Sequence, residues 1–219
     1  AASMVACGDA DGAVTGNTRR FGASFEKITQ VVGARNNEIM FGLNMIVFKG
    51  KTIFVADTSV HEYPSSEEMS EIAISAARVV RLFGIDPKVA FVSHSTFGQP
   101  LTSRTKHIKK AVDILKDKNV DFEFDGDMQP DVALNDEYKN LYPFSNIVGN
   151  ANILIMPGQH SAAISYKMLK TLGDTKVIGP LLIGLGLPIE IAPLRTSTSE
   201  LINLASIAAY SADKIDYKK

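Results

Sequence analysis

The sequence has little cysteine, little net charge and no long apolar run, and each shortage excludes a class of protein. Its single cysteine, Cys7, excludes an internal disulfide framework. The 23 basic and 24 acidic residues nearly cancel, so no basic surface for nucleic acid is expected. No stretch approaches the roughly 18 apolar residues of a membrane helix, and the first residues lack the basic and apolar segments of a signal peptide. These shortages predict a cytoplasmic protein that binds neither nucleic acid nor membrane.

Short catalytic and nucleotide-binding motifs are missing as well. The sequence contains no GxGxxG behind a strand, and no GxxxxGK[ST], HExxH, CxxC or GxSxG. A nucleophile therefore cannot be paired with a base from the sequence. What the chain does have is 219 residues, 45% of them hydrophobic, which is enough for one or two lobes with a buried core.

Hydrophobic periodicity predicts alternating helices and strands. The clearest helix follows Ser65, which forms a capping box with Glu68, and it ends at Gly84. The first eight residues are predicted to be the end of a buried strand that runs into a loop at 9–16. Further helices are predicted at 20–33, 103–117, 131–140, 161–172 and 197–211, and strands at 39–48, 52–56, 89–92, 122–124, 153–156 and 177–183. The alternation predicts an α/β fold with helices on both faces of a mostly parallel sheet, and Gly50 between two strands predicts an antiparallel hairpin.

Four loops could hold a ligand, because ligands of open α/β sheets bind beyond the carboxyl ends of the strands. The loop 9–16 could present backbone N–H groups to an anion, although glycine loops are also common without a ligand. The loop 93–98 is either a phosphate or pantetheine loop or a capped turn, and for His94 a hydrogen-bonded structural role is favoured. The glycines of 179–188 are better explained by packing.

The fourth loop, 193–200, leads into the last predicted helix. Ser197 and Glu200 match a second capping box, so Glu200 has a structural role available without catalysis. Arg195 is well placed for a phosphate or carboxylate, although a solvated surface arginine is equally common. The acidic run from Asp121 to Asp127 could hold a divalent cation, but alternating carboxylates of this kind more often face solvent.

Four segments together resemble the phosphate acetyl/butyryl transferase family in order and spacing. They are ADGAVTG at 10–16, FVSHSTFG at 91–98, GNANILIMPG at 149–158 and GPLLIGLGLPIEIAPL at 179–194. The variants ADTSV at 56–60, DGDM at 125–128, DVAL at 131–134 and IMP at 155–157 are more similar to the C-terminal modules of bacterial NADP-dependent malic enzymes than to the stand-alone transferases.

The resemblance implies a two-lobed, three-layer α/β sandwich like that of isocitrate and isopropylmalate dehydrogenases. It implies an incomplete first lobe made of 1–33 and 184–219, and a second lobe at 34–183. It also implies a module that binds acetyl-CoA as an allosteric inhibitor and supports a homo-oligomer. NADP, Mg or Mn and the oxidation of malate to pyruvate would belong to a missing N-terminal domain, which would also explain why the chain begins abruptly.

The family's reaction centre is altered here. Its Ser-Arg pair and its Asp match Pro193, Leu194 and Glu200, and its Arg-Pro matches Glu26-Lys27. Because a positioned acid/base group typically contributes about 100-fold to 10,000-fold in rate, acyl transfer is not expected. No metal site is predicted in this chain. The residues expected to contact a CoA ester are Asp11, Thr15, Ser95, Thr96, Gly98, Tyr166, Lys167 and Arg195. Two alternatives stay open, an active phosphate acetyltransferase and a module that only oligomerises.

Overall fold

The computed structural model describes residues 1–215 and 217, and within them two β-sheets are flanked by helices. The strands are β1 (Ala13–Gly16), β2 (Phe41–Phe48), β3 (Lys51–Ala56), β4 (Lys88–Val92), β5 (Glu123–Met128), β6 (Ile153–Ile155), β7 (Lys176–Ile183) and β8 (Ile189–Ala192). The α-helices are α1 (Ala2–Ala6), α2 (Phe21–Thr29), α3 (Ser66–Leu82), α4 (Ser103–Asp117), α5 (Pro130–Leu134), α6 (Asp136–Lys139), α7 (Gln159–Leu172) and α8 (Thr198–Lys214), with a 3-10 turn at Arg35–Asn37.

The described strands form one large and one small sheet. The large sheet has the order β5-β4-β6-β3-β2-β7, and the small sheet pairs β1 with β8. In the large sheet β2 runs antiparallel to both of its neighbours, and the other pairs are parallel. The prediction of a mostly parallel sheet with an antiparallel hairpin is therefore confirmed.

Alternating side chains of the large sheet supply two separate cores. Phe54, Phe91 and Ile155 point to one face, where they pack with α3 and α4. Their neighbours Val55 and Val92 point to the other face, where they pack with residues of α5 and α7. The sheet is thus covered on both faces, as its nearly continuous apolar strands predict.

A third apolar cluster joins the small sheet to the edge of the large one. It contains Ile28 of α2, Leu182 of β7 and Ile191 of β8. Helix α8 begins at the predicted capping box, in which Glu200 N donates to Ser197 Oγ at 3.3 Å. The capping box of α3 is confirmed in the same way, with Ser65 as its N-cap.

The structure corrects several local predictions. Residues Ala2–Ala6 form a helix rather than a strand end, because the alanine-rich segment satisfies its own backbone and buries Val5 alone. The second half of the predicted loop 9–16 is strand β1, and its partner β8 was not predicted. The predicted helix 131–140 is two short helices that meet at Asn135, whose side chain caps the second.

The predicted division into lobes 1–33 with 184–219 and 34–183 stays a prediction, and residues 216, 218 and 219 lie outside the described residues. No helix in the described part of the chain has the length and apolar character needed to span a bilayer.

Candidate functional site

Three parallel strands, β3, β4 and β6, end side by side, and the loops that follow them surround a pocket of about 520 Å³. We call it the carboxyl-edge pocket. Its lining combines apolar groups with His94, Arg104 and His160. Further lining residues are Glu62, Tyr63, Val92, Ser93, Ile108, Pro130, Met156, Pro157, Gly158 and Ser161. The pocket lies where α/β sheets usually bind their ligands.

The loop after β3 is held by a buried carboxylate. Asp57 is 1% exposed, and its two oxygens accept backbone N–H groups from Gly42, Ser59, Val60 and His61 at 2.7–3.3 Å. The His61 ring approaches the same carboxylate through Nδ1 at 2.8 Å. This hydrogen bond raises the pKa of His61, and burial opposes it. The loop is therefore fixed before it reaches the pocket.

A row of stacked side chains forms one wall of the carboxyl-edge pocket. The guanidinium carbon of Arg104 lies 4.7 Å from the centroid of the Tyr63 ring. The His160 ring also stacks on the Tyr63 ring, with the two ring centroids 6.4 Å apart. His160 Nε2 lies 3.2 Å from Glu62 Oε1. Because Tyr63 is 61% exposed, the row presents a cationic and aromatic surface to a ligand.

The loop after β4 contains both buried, hydrogen-bonded residues and an exposed histidine. Ser95 and Thr96 are buried, the Ser95 hydroxyl donates to Asp127, and Thr96 Oγ1 accepts from Gln129 N at 3.2 Å. Gly98 N donates to the other oxygen of Asp127 at 2.9 Å. The sequence favours a hydrogen-bonded structural role for His94. In the structure, the His94 side chain is exposed and lines the carboxyl-edge pocket.

The Pro193–Thr196 turn lies after β8. Thr196 N donates to Asn17 Oδ1 at 3.0 Å, and Arg195 N donates to Asn17 O at 3.4 Å, so the turn is tied to the end of β1. Arg195 has a left-handed φ of 61°. Leu194 is half exposed, and Thr196 Oγ1 donates to Pro193 O at 2.6 Å.

Glu200, at the start of α8, is fully engaged. Its Oε2 accepts from Ser197 N at 2.8 Å and from Ser197 Oγ at 2.7 Å, and its Oε1 accepts from Lys170 at 2.5 Å. The Lys170 hydrogen bond and those from Ser197 lower the pKa of Glu200 to about 2, although burial opposes them. A carboxylate with such a pKa is a poor base at neutral pH.

Helix α7 runs from the carboxyl-edge pocket to Glu200. It begins at the carboxyl-edge pocket with Gln159, and Lys170 near its end reaches Glu200. The rise from residue 159 to residue 170 is about 16 Å. Tyr166 and Lys167 lie between, with the Lys167 ammonium 5.9 Å from the Tyr166 ring centroid. Burial is the main cause that raises the pKa of Tyr166.

The remaining predicted residues lie elsewhere. Asp11 lines a pocket beside α8, and Thr15 sits on β1 opposite Ile191. The structure thus brings His94 to the pocket at the start of α7, while Tyr166 and Lys167 lie in the middle of that helix and Lys170 near its end contacts Glu200. The role of each predicted residue in ligand binding stays a prediction.

The acidic run does not behave as predicted. Asp125 and Asp127 are buried rather than solvent-facing, and Asp125 accepts from Asn146 N at 2.7 Å. Among the described residues no group of three or more histidine, cysteine or acidic side chains has the geometry of a metal site.

Sequence reasoning missed the Asp57–His61 pair and the Arg104–Tyr63–His160 row. The first has a local signal, because the two residues are four apart directly after a predicted strand. The second has none, because its members come from three segments that only the folded sheet brings together.

Comparison with known proteins places this geometry in a family. A model of the phosphate acetyl/butaryl transferase family matches residues 1–209. The NADP-dependent malic enzyme of Rhizobium meliloti is 47% identical over 97% of this chain and 28% of its own length. The phosphate acetyltransferase of Bacillus subtilis is 30% identical over 95% of this chain and 65% of its own length. A phosphotransacetylase structure from Streptococcus pyogenes superposes with a TM-score of 0.89 at 28% identity, covering 97% of this chain and 66% of that one.

The chain thus spans about 28% of the length of the malic enzyme and about two thirds of the length of the two transferases. The family match confirms the resemblance that the four ordered segments indicate. The chain belongs to the phosphate acetyl/butaryl transferase family, in the form of the module that NADP-dependent malic enzymes carry within a much longer chain.

Proposed function

We propose that this chain is a regulatory module of an NADP-dependent malic enzyme, that it binds acetyl-CoA or another CoA ester, and that it supports assembly of the parent protein. The parent would oxidise and decarboxylate malate to pyruvate. The proposal is supported by the greater identity to the malic enzyme of Rhizobium meliloti than to the transferase of Bacillus subtilis, 47% against 30%.

The state of Glu200 carries the proposal. Its carboxylate is engaged by Ser197 and Lys170, which lower its pKa to about 2, so it is a poor acceptor for the thiol proton of CoA. Pro193 and Leu194 offer neither a hydroxyl nor a charge at the turn that precedes it. Binding a CoA ester needs neither of these groups, since loops and cationic side chains can hold its phosphates.

An elongated ligand suits the layout along α7. The Arg104–Tyr63–His160 row offers a guanidinium and an aromatic face to a nucleotide, and Tyr166 and Lys167 lie farther along α7, between the pocket and Lys170. In this arrangement the nucleotide phosphates contact Arg104, and the thioester lies near Arg195.

NADP and a divalent cation would bind in the parent's other domain. The sequence has no GxGxxG behind a strand, and the described residues hold no cluster of three metal-ligating side chains.

Calorimetric titration with acetyl-CoA tests the proposal. We expect binding to the unmodified chain and at least tenfold weaker binding to Arg104→Ala, because a phosphate loses its cation. Lys106→Ala is the matched control, since it removes an exposed cation from the same helix two residues away. No heat from a folded sample at millimolar acetyl-CoA would refute the proposal and leave a module that only oligomerises.

The second candidate is an active phosphate acetyltransferase, favoured by the likeness to the transferases of Bacillus subtilis and Streptococcus pyogenes. It predicts release of CoA thiol when acetyl-CoA and phosphate are mixed with the chain. Turnover above about 1 s⁻¹, the low end of ordinary enzymes, would establish this alternative. Binding without turnover would support the regulatory role.

Assembly is supported by an apolar surface on α7. Ile164, Met168, Leu169 and Leu172 are between 49% and 81% exposed, an unusual density for one helix face. Light scattering of the chain and of Leu172→Lys would detect an oligomer that depends on this surface.

A further inference from the structure

A second cavity, of about 250 Å³, lies between the two sheets. Its walls come from α3, β7, β8 and α8, and most of them are apolar, as with Val79, Phe83, Leu181 and Ile207. We call it the inter-sheet cavity. It is separate from the carboxyl-edge pocket, with which it shares no lining residue.

Glu190 brings a carboxyl group into this apolar cavity. The residue is 5% exposed and belongs to β8, which the small sheet holds in register with Val14 facing Glu190. Its Oε2 accepts from Leu182 N on β7 at 2.9 Å. A hydrogen bond from Leu182 N to a buried carboxyl thus adds to the apolar cluster that joins the small sheet to the edge strand of the large one.

The charged groups around the cavity are already engaged. Arg35 and Arg78 both bind Glu38, at 3.0 and 2.6 Å, and Lys214 lies 3.2 Å from Asp213. The Tyr210 hydroxyl donates to Leu82 O, and burial is the main cause that raises the pKa of Tyr217 to about 12. None of the described cations pairs with Glu190, so burial raises its pKa to about 8 despite the Leu182 hydrogen bond. At neutral pH the group is a carboxylic acid.

Glu190 lies two residues before the end of β8, close to the Pro193–Thr196 turn. Strand β8 ends at Ala192, and the Pro193–Thr196 turn begins at the next residue. Whatever fixes β8 against β7 therefore also fixes where the turn stands relative to α7.

We propose that Glu190 is a positioning residue. Its neutral carboxyl can stay buried between the small sheet and β7 and so sets the Pro193–Thr196 turn, whereas its ionisation releases both, because a buried charge without a cation must regain water. The effect on ligand binding rests on the proposed function, whereas the effect on the two sheets does not.

The first test compares the pH dependence of stability in the unmodified chain and in Glu190→Gln, which mimics the neutral acid. Since the folded protein keeps a proton that the unfolded chain loses above the ordinary glutamate pKa of 4.5, stability falls as pH rises from about 5 to about 8. We expect the unfolding constant of the unmodified chain, relative to the variant, to rise by up to about tenfold per pH unit and to level off above about pH 8. Glu137→Gln, at an exposed site on α6, should follow the unmodified chain. Parallel curves for all three proteins would overturn the proposal.

The second test asks whether the release is local. Hydrogen exchange, corrected for intrinsic rate, should show protection in β8 and at Leu182 falling between pH 7 and pH 9 in the unmodified chain, with β4 and β6 unchanged. Glu190→Gln should keep its protection, and Glu190→Ala should have lost it already at pH 7. Loss of protection throughout the large sheet would show that Glu190 is merely part of the core.

Acetyl-CoA titration at the same two pH values separates this proposal from the function. We expect weaker binding at pH 9 in the unmodified chain alone, and equal binding at both pH values in Glu190→Gln. Absence of binding in every protein would refute the proposed function, while the exchange data would still decide the role of Glu190. Equal binding at both pH values in the unmodified chain would refute the link between Glu190 and the turn.

Discussion

Among single residues, Asp57 shows how a buried carboxyl group is held in place by hydrogen-bond donors. Four backbone N–H groups and the His61 ring surround it. Hydrogen bonds of this kind replace those to the water lost on burial. Glu190 has one backbone partner, and burial raises its pKa to about 8.

Asp57→Asn should lower the free energy of unfolding by about 2–4 kcal/mol. The amide nitrogen that replaces one oxygen would face N–H donors and leave them unpaired in a buried site. Urea denaturation at neutral pH measures the change. Asp121→Asn is the control, since the Asp121 side chain is 79% exposed and should cost less than about 1 kcal/mol. Equal effects would show that the Asp57 carboxylate is not needed for the loop.

His61 should contribute stability that depends on pH. Its hydrogen bond with Asp57 raises its pKa above the ordinary value of 6.5. The contribution is therefore full below 6.5 and is lost as pH rises through the pKa of the folded state. Comparing the unmodified chain with His61→Gln in urea at several pH values tests this: the difference in stability should shrink as the solution becomes alkaline. A difference that grows would contradict the assignment.

Among the elements, helices with local signals could be predicted and a strand with a distant partner could not. Each of the capping boxes at Ser65 and Ser197 is indicated by a segment of four residues, and both are confirmed. Strand β8 has its partner β1 about 175 residues earlier in the chain, and the glycines around it resemble a loop, so nothing local indicates it. The Arg104–Tyr63–His160 row could not be predicted either, because its members are distant from one another in the chain.

Ser65→Ala should destabilise α3 by about 1 kcal/mol, because Glu68 N loses its acceptor at the first turn. Ser65→Asp should restore most of the loss, since an aspartate side chain also caps helices and suits the positive end of the dipole. Thermal or urea unfolding of the three proteins tests the order. If Ser65→Asp were no better than Ser65→Ala, the cap would not explain the helix start.

At the scale of the whole molecule, a ligand that lies along α7 would stabilise the folded state of both sheets. The helix starts beside the large sheet, and its Lys170 binds Glu200 just after the small one. A ligand bound to the native state at 100 times its dissociation constant adds about 2.7 kcal/mol to stability. For a chain of this size each kcal/mol raises the melting temperature by roughly 2–4 °C.

Acetyl-CoA at that concentration should therefore raise the melting temperature by about 5–10 °C, and the shift should grow with the logarithm of ligand concentration. Scanning calorimetry of the full chain measures it, with Arg104→Ala as the variant of weaker binding and Lys106→Ala as its control. Protection against hydrogen exchange should rise in β4 and in β8 together, because a ligand along α7 touches the loops that follow both strands. A rise confined to β4 would place the ligand in the carboxyl-edge pocket alone, and the Pro193–Thr196 turn would then have no part in binding.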